Sequence, residues 1–186
     1  MSLISQMPLV PGRDCGTCHA CCIALTVNDG GLFKPQGTRC PNLTKAGLCG
    51  IYEDRPSDCA AFYCGYRRLK WVKDTLRPDQ SGVLVVIGYI NPAKWEAGVS
   101  ITLLTETALD APGLVETVSA AIAMEMPLDL IVPGPPGHAS GWAPLNDALA
   151  HPVQNRDMVA VYQILKDTRD ALASGEHRPI TQDGLA

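Results

Sequence analysis

Eight cysteines between positions 15 and 64 are the residues whose type and spacing could do chemistry. They are Cys15, Cys18, Cys21, Cys22, Cys40, Cys49, Cys59 and Cys64, and the chain has no others. A C-x2-C spacing suits a metal site because a tight turn aims both sulfurs at one ion about 2.3 Å away. Eight thiolates suffice for two tetrahedral sites, or for one cluster and one ion. The pattern therefore predicts one or two metal centres with all eight cysteines as ligands.

Two kinds of metal site fit this spacing. The C-x2-C-x2-C run that starts at Cys15 has the spacing of iron–sulfur ferredoxins, and Cys40 precedes a proline as their last ligand does. A C-x2-C pair combined with Cys59 and Cys64, which are spaced C-x4-C, fits structural zinc. His19 could replace one thiolate. The residues alone leave zinc, iron and an iron–sulfur cluster open as cofactors.

The Cys21–Cys22 doublet bears on the number of centres. Neighbouring side chains of an extended chain point to opposite faces. We therefore expect an extended doublet to serve two centres, or one of its thiols to be a spare.

Clustered cysteines have two other uses, as disulfides or as a redox dithiol. The opening stretch MSLISQMPLVPG lacks the basic and apolar regions of a secretory signal. We therefore expect a cytoplasmic protein, in which a framework of four disulfides would be unusual. A redox C-x-x-C motif begins a helix that follows a strand. No strand is predicted before Cys15, so a redox dithiol is not the favoured interpretation.

Charge and hydropathy argue against nucleic-acid and membrane partners, which leaves metal ions as the expected partners and any protein partner unknown. The net charge is −4, yet residues 13–73 hold nine Lys or Arg against five Asp or Glu. These cations could balance a divalent ion with four thiolates, which carries −2. A pI of about 5.5 is too low for a typical nucleic-acid-binding domain. The longest apolar run, over 83–90, is too short to span a bilayer, so no membrane partner is expected.

The sequence pattern of the segments that must position the cysteines predicts an α+β fold. We expect a loop-rich cysteine module over 13–73, packed on a small antiparallel or mixed sheet with two main helices. The other predicted divisions are an N-terminal extension (1–12), an α+β scaffold (74–175) that could form one domain with the module, and a C-terminal tail (176–186).

Apolar patterning and Pro/Gly signals place the elements of the scaffold. We expect Pro56 to begin a short helix, Asp110 to be an N-cap, and the last helix to bury a face formed by Val161, Tyr162, Leu165 and Leu172. The predicted segments are a strand over 83–90, a turn over 91–98, an antiparallel strand over 98–105, a helix over 110–126, a strand over 128–132, a loop over 133–144 and a helix over 155–175.

The cysteines and their neighbours resemble a known family. C-x2-C-x2-C-C, CPNL at 40–43 and CGIYEDRPSDCAAF at 49–62 are similar to the CxxCxxCC, or YkgJ-like, family of zinc- or iron-chelating domains. The resemblance covers about residues 15–64 and gives all eight cysteines a family counterpart. An arginine often follows the family cysteine that matches Cys59, whereas this chain has Ala60. Arg55, Arg67 and Arg68 are candidates to replace that cation.

The resemblance implies chelation of zinc or iron, with an unknown physiological role. Some relatives carry a similar cluster in proteins linked to flagellin lysine methylation, so the alternative is an iron–sulfur-dependent oxidoreductase or a methylase-like protein. The chain has no glycine-rich nucleotide loop or other catalytic motif. Its remaining histidines, His138, His151 and His177, are scattered without a partner acid or nucleophile nearby in sequence.

Overall fold

The structure is a computed structural model that describes residues 6–91 and 96–185. The predicted turn over 91–98 includes residues 92–95, which lie outside the described residues, as do residues 1–5 of the predicted extension and residue 186. The cysteine-bearing half is built from short elements, in keeping with its many turn residues. They are α1 (Cys21–Ala24), the hairpin strands β1 (Val27–Asp29) and β2 (Leu32–Lys34), α2 (Ser57–Ala61), α3 (Gly65–Arg68), a 3-10 turn (Asp74–Leu76) and α4 (Pro78–Ser81).

Apolar segments further along the chain form a four-stranded mixed sheet, which confirms the α+β fold class. Its strands are β3 (Val83–Asn91), β4 (Glu96–Leu103), β5 (Leu128–Val132) and β6 (Gly141–Pro144), in that spatial order. β3 and β4 are antiparallel as predicted, with Val85 opposite Ile101. β4 and β5 are parallel, and β5 and β6 are antiparallel.

Three longer helices cover this sheet. They are α5 (Leu114–Ala123), α6 (Asn146–Gln154) and α7 (Met158–Ala173). The predicted face of α7 is confirmed, because Val161 and Leu165 are fully buried while Tyr162 and Leu172 pack against the same core. A short hairpin of β7 (Ile180–Thr181) and β8 (Gly184–Leu185) follows. Among the described residues, no helix is both long and apolar enough to cross a membrane.

The predicted start of α5 is wrong. Asp110 ends a 3-10 turn, Glu106–Asp110, and its carboxylate accepts a hydrogen bond from the Tyr162 hydroxyl at 2.7 Å. α5 begins after Gly113, whose φ of +89° suits glycine. An added Cβ at Gly113 would lie 2.8 Å from Lys73. The chain therefore needs a glycine turn, and not a helical start, to pass this close to Lys73.

The predicted loop over 133–144 is wrong at its end, where β6 forms, and α6 was not predicted. α6 contains Pro152 and buries mainly Leu149, so its apolar pattern is weak. A tertiary contact holds its start in place. The Asn146 side chain accepts from the Leu128 N–H at 2.8 Å and donates to the Met126 carbonyl at 2.9 Å.

The cysteine-bearing half is joined to the sheet and to the end of the chain. Leu69, Val72 and Leu76 belong to the same buried core as the sheet. At the hairpin, the Asn28 side chain donates to the Gln182 carbonyl at 3.2 Å. The Gly137 N–H donates to the Gln36 carbonyl at 3.0 Å. Residues far apart in sequence therefore hold the hairpin in place.

Candidate metal centre

The first two cysteines lie in a tight turn, as their spacing predicts. The Cys18 N–H donates to the Cys15 carbonyl at 2.7 Å, and Gly16 between them has a φ of +48°. Arg77 braces the turn, because its Nη2 donates to the same carbonyl at 3.0 Å. Arg77 Nε also lies 2.8 Å from Asp79 Oδ1. This ion pair places a carboxylate beside the Cys18 thiol.

The Cys21–Cys22 doublet is helical, so the argument made for an extended doublet does not apply to it. Both residues belong to α1, where successive side chains are about 100° apart and not 180°. Their thiols form a hydrogen bond that raises the pKa of Cys21 and lowers the pKa of Cys22. The positive charges of His19 and Lys34 also lower the pKa of Cys22. The two sulfurs are therefore immediate neighbours.

Backbone contacts place Cys40 and Cys49 near the second cysteine of the doublet. The Cys40 N–H donates to the Cys22 carbonyl at 3.1 Å. Cys49 forms an isolated antiparallel bridge with Leu43, three residues after Cys40. The loop over 40–50 therefore folds back beside α1.

The last two cysteines lie at two short helices. Cys59 belongs to α2, whose N-cap is Pro56, so this helix begins at Ser57, one residue after the predicted start. The cap function is supplied by Asp29 of β1, whose carboxylate accepts from the Ser57 hydroxyl at 2.7 Å and from the Asp58 N–H at 2.9 Å. This contact fixes α2 to the hairpin. Cys64 is the N-cap residue of α3.

One cavity of about 440 Å³ brings most of the predicted ligands together. Its apolar wall includes Leu25, Leu43 and Phe62, and His19 also lines it. All eight cysteines are free thiols, so the structure holds no disulfide framework. Seven of the eight line the cavity and Cys64 does not, the seven being Cys15, Cys18, Cys21, Cys22, Cys40, Cys49 and Cys59.

The thiols are near one another without being assembled for coordination. In the part of the chain that the structure describes, no group of three or more Cys, His, Asp or Glu side chains is close enough to hold a metal ion. Tetrahedral zinc needs sulfurs at about 2.3 Å from the ion. Because ligands commonly come together only as metal binds, small movements of these short elements would be needed to complete a site.

Burial and neighbouring thiols act together on the cysteine pKa values. Burial is the main cause that raises the pKa of Cys18, Cys59 and Cys64. The charges of Cys15 and Cys18 raise the pKa of Cys64 further. Metal binding would remove these penalties, because a coordinated cysteine is a thiolate.

Lys34 is a buried cation beside the thiols. Only 2% of its surface is exposed. Its Nζ donates to the carbonyls of Ile23 at 3.1 Å and of Pro35 and Thr38 at 3.3 Å each. Burial lowers the pKa of Lys34, and the negative charges of nearby cysteines, first among them Cys40, oppose this effect. The three carbonyls fix the ammonium group in place without neutralising it.

The arginines proposed to replace the family cation at Ala60 behave differently from one another. Arg55 lines the cavity, stacks 4.0 Å from the centre of the Tyr52 ring and lowers the pKa of Cys22. Arg67 and Arg68 lie over the Tyr63 ring instead. Arg55 is therefore the better placed of the three.

Sequence reasoning missed three residues that support the first turn and the chain just before it. Asp79 and its partner Arg77 lie beyond the cysteine segment, in an Arg-Pro-Asp stretch that opens α4, and no spacing rule connects them with Cys18. Arg13 was counted only as part of the basic excess. Its guanidinium donates to the carbonyls of Tyr66 at 2.7 Å and Leu69 at 3.0 Å, which ties the start of the cysteine segment to α3.

Comparisons with family models, with curated proteins and with solved structures found no match to this chain. The resemblance to the CxxCxxCC family therefore stays a prediction that rests on the eight cysteines and the segments around them. Any function must be inferred from the chemistry of the cavity itself.

Proposed function

We propose that this protein binds zinc or iron, as ions or as an iron–sulfur cluster, through cysteine thiolates. The observation that carries the proposal is the cavity lined by seven free thiols, with the eighth cysteine at the nearby start of α3. Thiolates select zinc and iron–sulfur clusters over hard cations such as Mg²⁺ and Ca²⁺. The absence of competing carboxylate clusters within the lining favours the same metals.

The charge around the thiols supports this chemistry. An ion held by four thiolates is a dianion, and burying it is costly without nearby cations. Lys34 and Arg55 lie at the cavity and supply positive charge.

The thiols are numerous enough to fill the coordination sphere of each metal. A metal with four protein ligands has no open position for water, which is typical of structural sites and not of hydrolytic ones. We therefore propose a structural or electron-transferring role for the metal.

Elemental analysis and an absorption spectrum of the purified protein test the proposal. We expect at least one zinc or iron ion per chain, with acid-labile sulfide and broad visible absorbance if the metal is an iron–sulfur cluster. A colourless protein with stoichiometric zinc would identify the structural site. Well under one metal ion per chain, in a reduced preparation supplied with both metals, would overturn the proposal.

A further inference from the structure

The contacts around the doublet separate the cysteines into two groups. We propose, building on the function proposed above, that the protein holds two distinct four-thiolate metal centres that meet at the Cys21–Cys22 doublet. The inner centre, next to the sheet, consists of Cys15, Cys18, Cys21 and Cys64. The outer centre, next to the β1–β2 hairpin, consists of Cys22, Cys40, Cys49 and Cys59.

Hydrogen bonds tie three members of the inner centre, Cys15, Cys18 and Cys64, to one part of the fold. Cys15 and Cys18 share a turn, and Arg77 fixes that turn to α4. Arg13, two residues before Cys15, binds the carbonyls of α3 and of the residue after it. Cys64 caps the same helix. Arg13 therefore ties the chain just before the turn to the helix that begins after Cys64, while Arg77 ties the turn to α4.

A separate set of contacts ties the members of the outer centre together. Cys40 is hydrogen-bonded to the backbone of Cys22, and the bridge from Leu43 brings Cys49 back beside them. The Asp29 carboxylate fixes α2, and with it Cys59, to the hairpin. None of these contacts involves a member of the inner centre.

The charge interactions among the cysteines separate them into the same two groups. The charges of Cys15 and Cys18 raise the pKa of Cys64. The charges of Cys22, Cys40 and Cys49 raise the pKa of Cys59. The doublet connects the groups: besides its partner Cys22, the charges of Cys18 and Cys64 raise the pKa of Cys21.

The two centres differ in their surroundings. The outer centre faces the ammonium of Lys34 and the guanidinium of Arg55. Beside the inner centre the positive charge of Arg77 is already paired with the Asp79 carboxylate, whose negative charge also acts on Cys18. A dianionic metal centre is stabilised by cations and destabilised by an adjacent anion. The outer centre therefore fills first as metal is added.

Zinc titration of the reduced, metal-free protein tests the division, with Cys64→Ser and Cys59→Ser as a matched pair. Four thiolates per ion predict about two equivalents in the wild type and about one in each variant. One equivalent in the wild type and none in either variant would mean a single centre and would overturn the division. A shared cluster emptied by either substitution would also overturn it. A wild type that binds no zinc would instead overturn the proposed function itself.

A second measurement avoids variants that fold poorly. The wild type receives one equivalent of zinc and is then alkylated with N-ethylmaleimide, and fragment-ion mass spectrometry maps the modified cysteines. We expect the outer four cysteines to be protected and the inner four to be labelled. Protection of a mixed set drawn from both groups, or uniform labelling of all eight, would overturn the division.

Discussion

Gly65 sets how closely the cysteine-bearing half approaches the sheet, and Gly65→Ala tests that approach. A Cβ added at Gly65 would lie 2.8 Å from Val85 Cβ and closer still to Val85 Cγ1, whereas ordinary contacts begin at 3.4 Å. Val85 is fully buried on β3 and cannot move toward solvent. Either α3 or the strand must therefore shift.

The size of the effect follows from two opposing contributions. Overpacking a well-packed core costs about 1–3 kcal/mol. Replacing glycine by alanine within a helix returns about 0.5–1 kcal/mol. Because both contacts with Val85 are shorter than 3.0 Å, we take the overpacking cost as about 2–3 kcal/mol. The expected net loss in the free energy of unfolding is then about 1–2.5 kcal/mol, which for a chain of this size lowers Tm by roughly 2–10 °C.

Thermal unfolding followed by circular dichroism measures this change, and Gly88→Ala is the matched control. Gly88 lies on the same strand, and a Cβ there would meet no atom within 4 Å. We expect the control to keep the wild-type Tm or to raise it slightly. Equal Tm values for the two variants would refute the close approach of α3 to β3.

The same variant has a functional readout. Cys64 directly precedes Gly65, so displacement of α3 moves its thiol. We expect Gly65→Ala to weaken zinc binding at the inner centre while the outer centre keeps its affinity. Weakening of both centres to the same degree would contradict the separate attachment of the two groups.

Two further predictions concern the doublet and its surroundings. Lys34→Met removes the buried cation and should lower zinc affinity at the outer centre by roughly tenfold to hundredfold, as for other residues that support metal ligands. Competition with a chromophoric chelator measures the affinity. Lys70 is exposed, so Lys70→Met is the control. An unchanged affinity in Lys34→Met would show that its charge does not act on the metal. In the reduced, metal-free protein near neutral pH, we expect iodoacetamide to modify Cys22 before the exposed Cys15, because a lowered pKa makes Cys22 the more abundant thiolate. Faster modification of Cys15, followed by mass spectrometry, would count against the hydrogen bond from Cys21.

Elements with a strong apolar pattern, either a continuous apolar run or apolar residues at helical spacing, could be predicted from the sequence. The strand over 83–90 and the last helix are examples, since burial of Val161 and Leu165 follows directly from helical spacing. The start of α5 could not be predicted in this way. Asp110 has the chemistry of an N-cap, but a tertiary hydrogen bond to Tyr162 uses its carboxylate instead.

For the candidate site, the sequence predicted the ligand types but not their arrangement. The spacing identified the turn at Cys15 and Cys18, and the basic excess anticipated cations near the thiols. The doublet is helical because of backbone hydrogen bonds within a single short turn. Four residues are too few to show a helical pattern of apolar residues in the sequence. The roles of Asp79 and Lys34 arise from contacts between distant segments.

The attachment of the hairpin has a consequence for biosynthesis. Asn28 contacts Gln182, a residue 154 positions later, and Gln36 contacts Gly137. A ribosome therefore releases all eight cysteines long before the residues that hold the hairpin have been made. The inner centre depends less on late residues, because Arg77 and Asp79 follow its last ligand, Cys64, by 13 and 15 residues. Metal incorporation during translation would thus proceed from the inner centre outward, the reverse of the order expected for the finished chain.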